Sequence, residues 1–310
     1  MKVITKFFKK RKKKKEKYSD LQIQEALTQL REALIMQPLD AILHFQYAQA
    51  ASKANLPFLA YAELKTASVL GLPDKDGQQL YQEIISKVPD LLEMNHNQWF
   101  RLHSIASKLK EKADGKKLRI LDVGGGDGSL AAFLPEMDYC LVEPDTNGIS
   151  GTHLPFADQS FDYVVSCHVL EHIPIESREL FLDQLISKAS KGLLLLNPFH
   201  VEGSFVEERL QLFIDVTNAR WAHEHLECSL PKVSDVEAYA QQKGLQCEVE
   251  PNGALTTSMA LVFMDHFSQE SRQHEKWKQI NYFINSRYAH LMTSPDFPTA
   301  YLICLNRQNA

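Results

Sequence analysis

A strand that runs directly into a glycine-rich turn is the feature that most constrains the fold of this chain. Residues 120–130 read ILDVGGGDGSL, so an apolar run containing Asp122 leads into four glycines within five positions. Glycine accepts backbone conformations that other residues avoid, and it lets the main chain approach a ligand that a Cβ would exclude. Such a turn between a strand and a helix is typical of an α/β domain that binds a cofactor at that point.

Strand and helix patterns alternate from this turn onward. Strands are predicted at residues 118–123, 139–142, 161–167, 193–196, 245–249 and 300–305, with helices at 97–112 and 178–190. Alternation of this kind implies parallel strands that are joined by helical crossovers. Residues 201–243 and 254–298 are predicted to be mainly helical insertions, and both are candidates for a substrate lid.

The region before this domain has apolar positions at helical spacing and contains a short internal repeat. Three residues return after 34 positions: Ala26, Leu30 and Ala33 recur as Ala60, Leu64 and Ala67. A period of 34 residues is that of the tetratricopeptide repeat, in which small side chains let two helices approach closely. Residues 18–92 are therefore predicted to form an all-α, tetratricopeptide-like module that can bind a protein partner, with a generic helical bundle as the alternative.

Charge is distributed very unevenly along the chain. Residues 1–17 carry nine Lys, one Arg and one Glu, so their net charge of +9 leaves −14 on the remainder of a chain whose total is −5. An acidic body repels nucleic-acid phosphates and argues against a large nucleic-acid interface. The basic segment is predicted to be a disordered arm. Its apolar residues among the lysines also suit an anionic membrane surface, through residues 2–17.

Cysteine usage and the first residues bear on the compartment. The five cysteines are scattered and none has CxxC spacing, so neither a disulfide framework nor a zinc motif is predicted. Charges run through the position where a signal peptide would have its apolar stretch, and no apolar run reaches membrane-spanning length. We expect a cytoplasmic protein, or one held peripherally at the inner face of the membrane.

A second acidic residue defines the type of cofactor. Glu143 lies 21 residues after Asp122, at the end of the second predicted strand in the run LVEPD. A carboxylate at this place can accept hydrogen bonds from both hydroxyls of a ribose. The glycine turn and Glu143 together indicate a cofactor that contains adenosine, and they would equally suit a nicotinamide-binding domain.

Residues 151–174 separate these alternatives through a family resemblance. Their sequence, GTHLPFADQSFDYVVSCHVLEHIP, resembles class I methyltransferases of the type 11 group, in which LPF, an acidic turn, SFD, a buried strand and LEH follow in this order. The matching residues are Leu154, Pro155, Phe156, Ser160, Phe161, Asp162, Leu170, Glu171 and His172. The resemblance implies a methyltransferase domain over residues 93–310, with S-adenosylmethionine as cofactor. Its sheet would be Rossmann-like, mostly parallel and of the seven-stranded type.

The resemblance also implies roles for individual residues. The methionine portion of the cofactor would contact Asp122, Gly124, Gly125, Gly126 and the backbone near His168. The ribose would contact Glu143 and Pro144, and the adenine would contact Thr152, His153 and Leu154. The family often has an acidic residue shortly before LPF, whereas this chain has Ser150-Gly151-Thr152, which leaves the adenine contact open.

The acceptor has to be inferred from the histidines and the insertions. A sulfonium methyl is already a strong electrophile, so the protein has mainly to align the acceptor, and only a hydroxyl acceptor would need a general base. The candidates for that base are His172, His225 and His200. The pair His223 and His225 lacks further ligands in the sequence, so no metal site is predicted.

A second, looser resemblance concerns the C-terminal part. The run from Glu208 through Glu224-His225-Leu226 to Pro298 is similar to methyltransferases associated with bacterial surface-polysaccharide assembly. The favoured acceptor is therefore a small-molecule or glycan hydroxyl in a sugar precursor. The alternatives are a methyltransferase that acts on a protein, a lipid or a small metabolite, and a catalytically silent scaffold that binds S-adenosylmethionine.

Overall fold

The computed structural model describes residues 20–271 and 273–308, which fall into two compact units. The first unit combines the described residues up to Pro89 with Arg119–Phe156, and the second combines Asp90–Leu118 with the residues from Ala157 onward. The predicted basic arm, residues 1–17, lies outside the described residues. None of the described helices is long and apolar enough to cross a membrane.

Four helices open the first unit: α1 (Asp20–Met36), α2 (Ala41–Lys53), α3 (Pro57–Val69) and α4 (Asp74–Ile85). Local sequence signals set their starts. The Asp40 side chain accepts hydrogen bonds from the amides of Ile42 and Leu43, and thereby caps α2. Pro57 occupies the first turn of α3, where its missing amide proton costs nothing. The predicted N-terminal helices are thus confirmed.

Two parallel strands complete the first unit: β1 (Arg119–Val123) and β2 (Asp138–Val142), with a one-turn helix, Leu130–Phe133, between them. Helix α3 packs against β2 and is buried on nearly every side. The Thr66 hydroxyl of α3 accepts a hydrogen bond from the Leu141 amide of β2 at 3.0 Å. A helix thus satisfies a polar group that a further strand would otherwise pair.

The second unit contains helix α5 (His96–Ala113) and four strands. These are β3 (Phe161–Cys167), β4 (Ala189–Asn197), β5 (Leu245–Asn252) and β6 (Ala300–Arg307). Strand β3 is parallel to β4, whereas β6 runs antiparallel to both β4 and β5. Four consecutive leucines in β4 are fully buried, as expected for a strand that is covered on both faces.

The remaining helices of the second unit occupy the crossover and the two insertions: α6 (Ile175–Lys188), α7 (Val206–Thr217), α8 (Arg220–Cys228), α9 (Val233–Lys243), α10 (Leu255–Glu270) and α11 (His274–Arg287). An apolar cluster joins α7 and α8, with Phe213 and Ala222 at its centre and Met259, Val262 and Phe263 of α10 against it. Both segments therefore consist mainly of helices.

The predicted α/β class with a Rossmann-like, mostly parallel methyltransferase sheet is confirmed. Its strand number needs a correction, because the described residues contain six strands where the seven-stranded type was predicted. The physical reason lies in residues 143–160, which connect β2 to β3. They form turns and short loops that are held by local hydrogen bonds, and the β2 amide of Leu141 finds its partner in α3 instead.

Candidate active site

The glycine turn after β1 has a backbone that only glycine adopts readily. Gly124, Gly126 and Gly128 have φ values of +77°, +59° and +76°. A Cβ on Gly125 would lie 2.5 Å from Oδ2 of Asp122. Conformation disfavours a side chain at the three positive-φ glycines, and lack of space excludes one at Gly125. The main chain at these positions is therefore left accessible to a ligand.

Asp122 is the penultimate residue of β1, and only one of the two oxygens of its buried carboxyl accepts a hydrogen bond. Its Oδ2 accepts a hydrogen bond from the Tyr139 hydroxyl at 2.6 Å, while its Oδ1 is buried and has no hydrogen-bond partner among the described residues. Burial raises the pKa of this carboxyl to about 7; the Tyr139 hydroxyl opposes the rise, and Glu143 and Asp127 add to it. An orphaned acceptor here fits a cationic donor such as the ammonium group of S-adenosylmethionine.

Glu143 ties the glycine turn to the loop after β2. One carboxylate oxygen accepts a hydrogen bond from the Gly126 amide at 3.0 Å, and the other accepts one from the Asp145 amide at 3.1 Å. The Thr146 hydroxyl in turn donates to the Gly126 carbonyl at 2.8 Å. These contacts hold the carboxylate in place and leave each of its oxygens able to accept a further hydrogen bond. Its contact with the ribose stays a prediction.

The predicted adenine segment forms a short polar chain instead of presenting an acidic residue. The hydroxyls of Ser150 and Thr152 lie 2.8 Å apart, and the Thr152 hydroxyl lies 3.1 Å from Nδ1 of His153. His153 is exposed and Leu154 is buried. The adenine contacts of Thr152, His153 and Leu154 remain predictions.

The N-terminal helices form hydrogen bonds with the loop that follows β2, residues 144–147. The sequence did not predict these contacts. Arg31 of α1 donates to the carbonyl of Pro144 at 2.6 Å, and the Tyr47 hydroxyl of α2 donates to the carbonyl of Thr146 at 2.5 Å. Glu63 of α3 accepts a hydrogen bond from the Asn147 side chain at 2.9 Å. The only signal in the sequence was a glutamate that follows the apolar run AYA in the stretch AYAELKTA.

In the second unit, the end of β3 carries a compact cluster of titratable side chains. His168 has a φ of +57°, and its Nδ1 lies 3.3 Å from Oε1 of Glu171. Glu171 is fully buried, and its Oε2 accepts a hydrogen bond from the Asn197 side chain at 2.6 Å. Burial pushes the pKa of Glu171 upward, but His168 and His225 outweigh it and bring the pKa down to about 2.

Helix α8 brings His225 to this cluster. Its Nε2 lies 3.3 Å from Nε2 of His172 and 3.8 Å from Oε1 of Glu171. Burial lowers the pKa of His225 to about 4, so its imidazole is neutral at physiological pH. On the other side of the His172 ring, Nδ1 lies 2.8 Å from Oε2 of Glu224.

Arg178 fixes the position of α8 relative to this cluster. Its guanidinium donates to the carbonyl of Ile173, just after the His172 turn, and to the carbonyls of Cys228 and Ser229 at the end of α8. One side chain thus fastens both segments that supply the cluster. Neither Arg178 nor Glu224 was singled out as a site residue from the sequence, because each acts through contacts with residues distant in the chain.

The cluster opens into a cavity of about 550 Å³ that lies within the second unit. Its lining includes the three histidines, two aromatic side chains and one amide: His168, His172, His225, Phe100, Trp221 and Asn252. His200 is exposed and is not part of this lining. The structure therefore brings two of the three predicted bases together and leaves the third outside the cavity.

Two partly buried arginines and a threonine hydroxyl add polarity to the cavity. Arg101, Arg209 and Thr299 all line it. Among the described residues, the Nε atoms of the two arginines and the hydroxyl of the threonine have no hydrogen-bond partner. Unpaired buried donors beside a cavity favour a ligand that accepts hydrogen bonds from them once the side chains turn towards it.

Known proteins are similar to this chain in sequence and in fold. A family model described as a methyltransferase domain matches residues 78–250, more than half of the chain. An uncharacterized methyltransferase of Mycobacterium sp. (strain KMS) is 42% identical over an alignment of 72 positions. That alignment covers 18% of this chain and 29% of the relative, so the chain spans less than a third of the relative's length.

Two solved structures resemble parts of the fold. The YcgJ protein of Bacillus subtilis is 16% identical with a TM-score of 0.41, and the alignment covers 67% of this chain and 100% of YcgJ. A phosphoethanolamine N-methyltransferase of Haemonchus contortus, solved with S-adenosylhomocysteine, is 15% identical with a TM-score of 0.43; 67% of this chain and 53% of that one are covered. On the match over residues 78–250, the chain belongs to the methyltransferase domain family.

Proposed function

We propose that this protein transfers the methyl group of S-adenosylmethionine to a hydroxyl group, and that the acceptor is a negatively charged sugar or glycan precursor. The observation that carries the proposal is the cavity of the second unit. It combines histidines that can activate a hydroxyl with arginine donors that lack hydrogen-bond partners at Nε among the described residues.

The lining of the cavity matches the chemistry of a sugar. Aromatic side chains such as Phe100 and Trp221 can pack on the apolar face of a pyranose ring. Amide and hydroxyl groups, including Asn252 and Thr299, can bond to its hydroxyls. Arg101 and Arg209 supply planar donors that suit a phosphate or a carboxylate, which is why the acceptor is proposed to be acidic.

The reaction needs little from the protein beyond alignment and proton removal. A lone pair of the acceptor oxygen attacks the methyl carbon, the carbon–sulfur bond breaks, and its electron pair returns to sulfur. The products are a methyl ether, S-adenosylhomocysteine and a proton. Excluding water and holding the oxygen in line with the departing sulfur lower the barrier.

The pair His172 and His225 is the proposed means of activating that hydroxyl. His172 has the geometry of a histidine backed by a carboxylate, because Glu224 lies 2.8 Å from its Nδ1 and its Nε2 is next to His225. His225 alone would be a weak base, since burial lowers its pKa to about 4. His200 lies outside the cavity lining and is not assigned a role.

The predicted partners extend this proposal. The tetratricopeptide-like interpretation of α1–α4 would give a protein partner that delivers the acceptor, and the basic residues 2–17 would place the enzyme at an anionic membrane surface. Retention of the intact protein on vesicles containing anionic lipid, at low salt, tests the second idea. A chain that lacks residues 2–17 is the control.

Methyl transfer from labelled S-adenosylmethionine tests the function. The protein would be incubated with sugar phosphates and nucleotide sugars, with a protein extract and with lipid vesicles. We expect label in an acidic sugar, resistant to mild alkali as an ether should be, and at least tenfold less label with Arg209→Gln. Label in protein or lipid alone would contradict the acceptor class. Normal cofactor binding without any transfer would instead support a silent scaffold.

A further inference from the structure

We propose that Glu171, His172 and His225 form a binding site for a divalent transition-metal ion at the edge of the acceptor cavity. The site itself is argued from geometry and from one unsatisfied carboxylate. What the ion does there rests on the proposed function, because it would replace a general base in activating the acceptor hydroxyl.

The three side chains present their ligand atoms to one point. The Nε2 atoms of His172 and His225 lie 3.3 Å apart, and Oε1 of Glu171 lies 3.8 Å from Nε2 of His225. All three ligand atoms lie within 4.8 Å of one another. With zinc–ligand distances of about 2.0–2.1 Å, neighbouring atoms of a tetrahedral site are separated by about 3.3 Å. The two histidines already have this spacing, and Glu171 would have to move closer to them on metal binding.

A buried oxygen without a hydrogen bond points to a ligand in this place. Glu171 is fully buried, and its Oε2 is satisfied by the side chain of Asn197. Its Oε1 makes no aligned hydrogen bond among the described residues, and its nearest neighbours are Nδ1 of His168 at 3.3 Å and Nε2 of His225 at 3.8 Å. Leaving a buried carboxylate oxygen unpaired costs more than leaving a neutral group unpaired, and a cation would remove that cost.

The arrangement around the ligands is that of a supported metal site. Glu224 lies 2.8 Å from Nδ1 of His172 in an ion-pair contact whose N–H is not aligned as a hydrogen bond, and Asn197 orients Glu171. A carboxylate on the outer nitrogen of a ligating histidine fixes the proton there and leaves Nε2 as a lone-pair donor. Glu224 is itself held by Arg220 at 2.6 Å, so the support extends along α8.

The ligand set indicates the class of ion and its role. Two imidazoles and one carboxylate favour zinc, manganese or cobalt over magnesium or calcium, which prefer oxygen ligands. Three protein ligands leave at least one coordination position open, and His172 and His225 both line the acceptor cavity. The acceptor oxygen would occupy that position, where the ion lowers its pKa and its proton passes to water. The resulting alkoxide then attacks the methyl carbon as described above.

Metal binding by the full-length protein tests the site without relying on activity. Protein treated with EDTA and freed of the chelator would be titrated with Co²⁺ and monitored by its visible absorption, and with Zn²⁺ by calorimetry. We expect one ion per chain. His225→Ala and Glu171→Gln should weaken Co²⁺ binding at least tenfold, and Glu224→Gln should weaken it about tenfold through the supporting contact.

His223→Ala is the matched control. His223 lies on α8 two residues before His225, is exposed, and its ring contacts Asn218 at 3.2 Å, away from the cluster. This variant should bind Co²⁺ like the wild type. Because Glu171 is buried, the half-exposed His172→Asn is the second variant, and circular dichroism together with S-adenosylmethionine binding would show that each variant is folded.

The outcomes separate the metal site from the proposed function. If the stripped wild-type protein binds neither ion at micromolar concentration, or if His223→Ala loses as much affinity as His225→Ala, the metal site is wrong. Transfer to a sugar that survives EDTA treatment would overturn the ion's role in activating the acceptor and leave His172 as the base. One bound ion that disappears in the cluster variants supports the site even if no sugar is methylated, in which case only the acceptor assignment falls.

Discussion

The buried carboxyl of Asp122 is predicted to couple its protonation to cofactor binding. Burial raises its folded pKa to about 7 from an ordinary value of 3.8. Protonation therefore stabilises the folded chain at low pH, and this contribution is lost as the pH rises from 3.8 towards 7. A cofactor ammonium group prefers the ionised carboxylate, so we expect affinity for S-adenosylmethionine to increase as the pH rises through about 7.

Calorimetry between about pH 5.5 and 8.5 measures this dependence. Asp122→Asn should bind the cofactor about tenfold or more weakly at pH 8, because a charge-assisted hydrogen bond is lost, and its affinity should no longer vary with pH. Tyr139→Phe is the control, since it removes the neighbouring hydroxyl and keeps the carboxyl. A wild-type affinity that is constant over this range would contradict the assignment of Asp122.

A buried charge pair, His44 and Glu63, lies next to the loop that follows β2, where Glu63 accepts a hydrogen bond from Asn147. The imidazole of His44 and the carboxylate of Glu63 are both fully buried, with Nδ1 and Oε2 2.5 Å apart. Burial lowers the pKa of His44, but Glu63 outweighs it and the net pKa is raised from its ordinary value of 6.5. The stabilisation by this pair is therefore fully present below pH 6.5 and is lost as the pH rises through the raised value.

Glu63→Gln should lower the free energy of unfolding by about 3–5 kcal/mol at pH 6, where the charged histidine loses its partner. The loss should be smaller at about pH 8.5, where His44 is closer to neutral. Urea unfolding at the two pH values measures the difference. Glu83→Gln, which removes an exposed partner of Lys87, is the control; equal losses for Glu63→Gln at both pH values would exclude the charge pair as the cause.

The sequence predicted those site residues whose signals are local in the chain. Asp122 and Glu143 follow strands at recognisable spacings, so their place near the glycine turn was predictable. The convergence of His172 and His225 was not, because it depends on a contact between residues 53 positions apart. Glu224 was noticed only as part of the run that carries the second resemblance, and Arg178 gave no signal, since a single charge on a helix is ordinarily a solvated side chain.

At the scale of elements, helix α3 shapes the glycine turn by close packing. Gly128 has a φ of +76°, and a Cβ at this position would lie too close to the Cβ of Ala62 on α3, at 2.3 Å. Gly128→Ala should therefore destabilise the protein through both strain and overpacking. Gly115 is the matched control, because its φ is +74° and a Cβ there would have no neighbouring atom within 4 Å among the described residues.

We expect Gly128→Ala to lower the free energy of unfolding by about 1–3 kcal/mol more than Gly115→Ala does, which is the usual cost of overpacking. Urea unfolding of the two variants gives this difference directly. The double variant with Ala62→Gly should recover part of the loss. Equal destabilisation by the two alanines would mean that α3 does not pack on this turn.

The elements themselves were largely predictable, and their ends were not. The apolar run of β4 predicted a strand at 193–196, whereas the strand extends over Ala189–Asn197. Its first residues include Ser190 and Lys191, which have no apolar pattern, and they are strand because Ala189 and Gly192 pair with β3. Pairing with a distant strand thus overrides local sequence preference.

At the scale of the whole molecule, the chain builds its first unit from two separate segments. Residues up to 89 and residues 119–156 share one unit, whereas the sequence pattern predicted a boundary near residue 92 between a helical module and a catalytic domain. Contacts such as that of Arg31 with Pro144 span 113 positions. No repeat pattern or composition change encodes such a contact, so the sequence could predict the helices but not the loop they support.

This sharing of one unit predicts that the N-terminal helices govern cofactor affinity. Tyr47 and Arg31 donate to the carbonyls of Thr146 and Pro144 in the loop that follows Glu143. Tyr47→Phe with Arg31→Met removes both hydrogen bonds and keeps most of the packing. At about 0.5–1.5 kcal/mol per bond, the loss of two bonds loosens the loop and should weaken S-adenosylmethionine binding by at most about fivefold to 150-fold.

Calorimetry with S-adenosylmethionine measures the loss, and Co²⁺ binding at the cluster of the second unit serves as an internal reference. That reference should not change, because the two substitutions lie in the first unit. Tyr81→Phe, on the partly exposed face of α4, is the matched control for loss of a tyrosine hydroxyl. If the double variant and Tyr81→Phe bind the cofactor as tightly as the wild type, α1 and α2 do not contribute to cofactor binding; a loss confined to the double variant makes them part of the cofactor site.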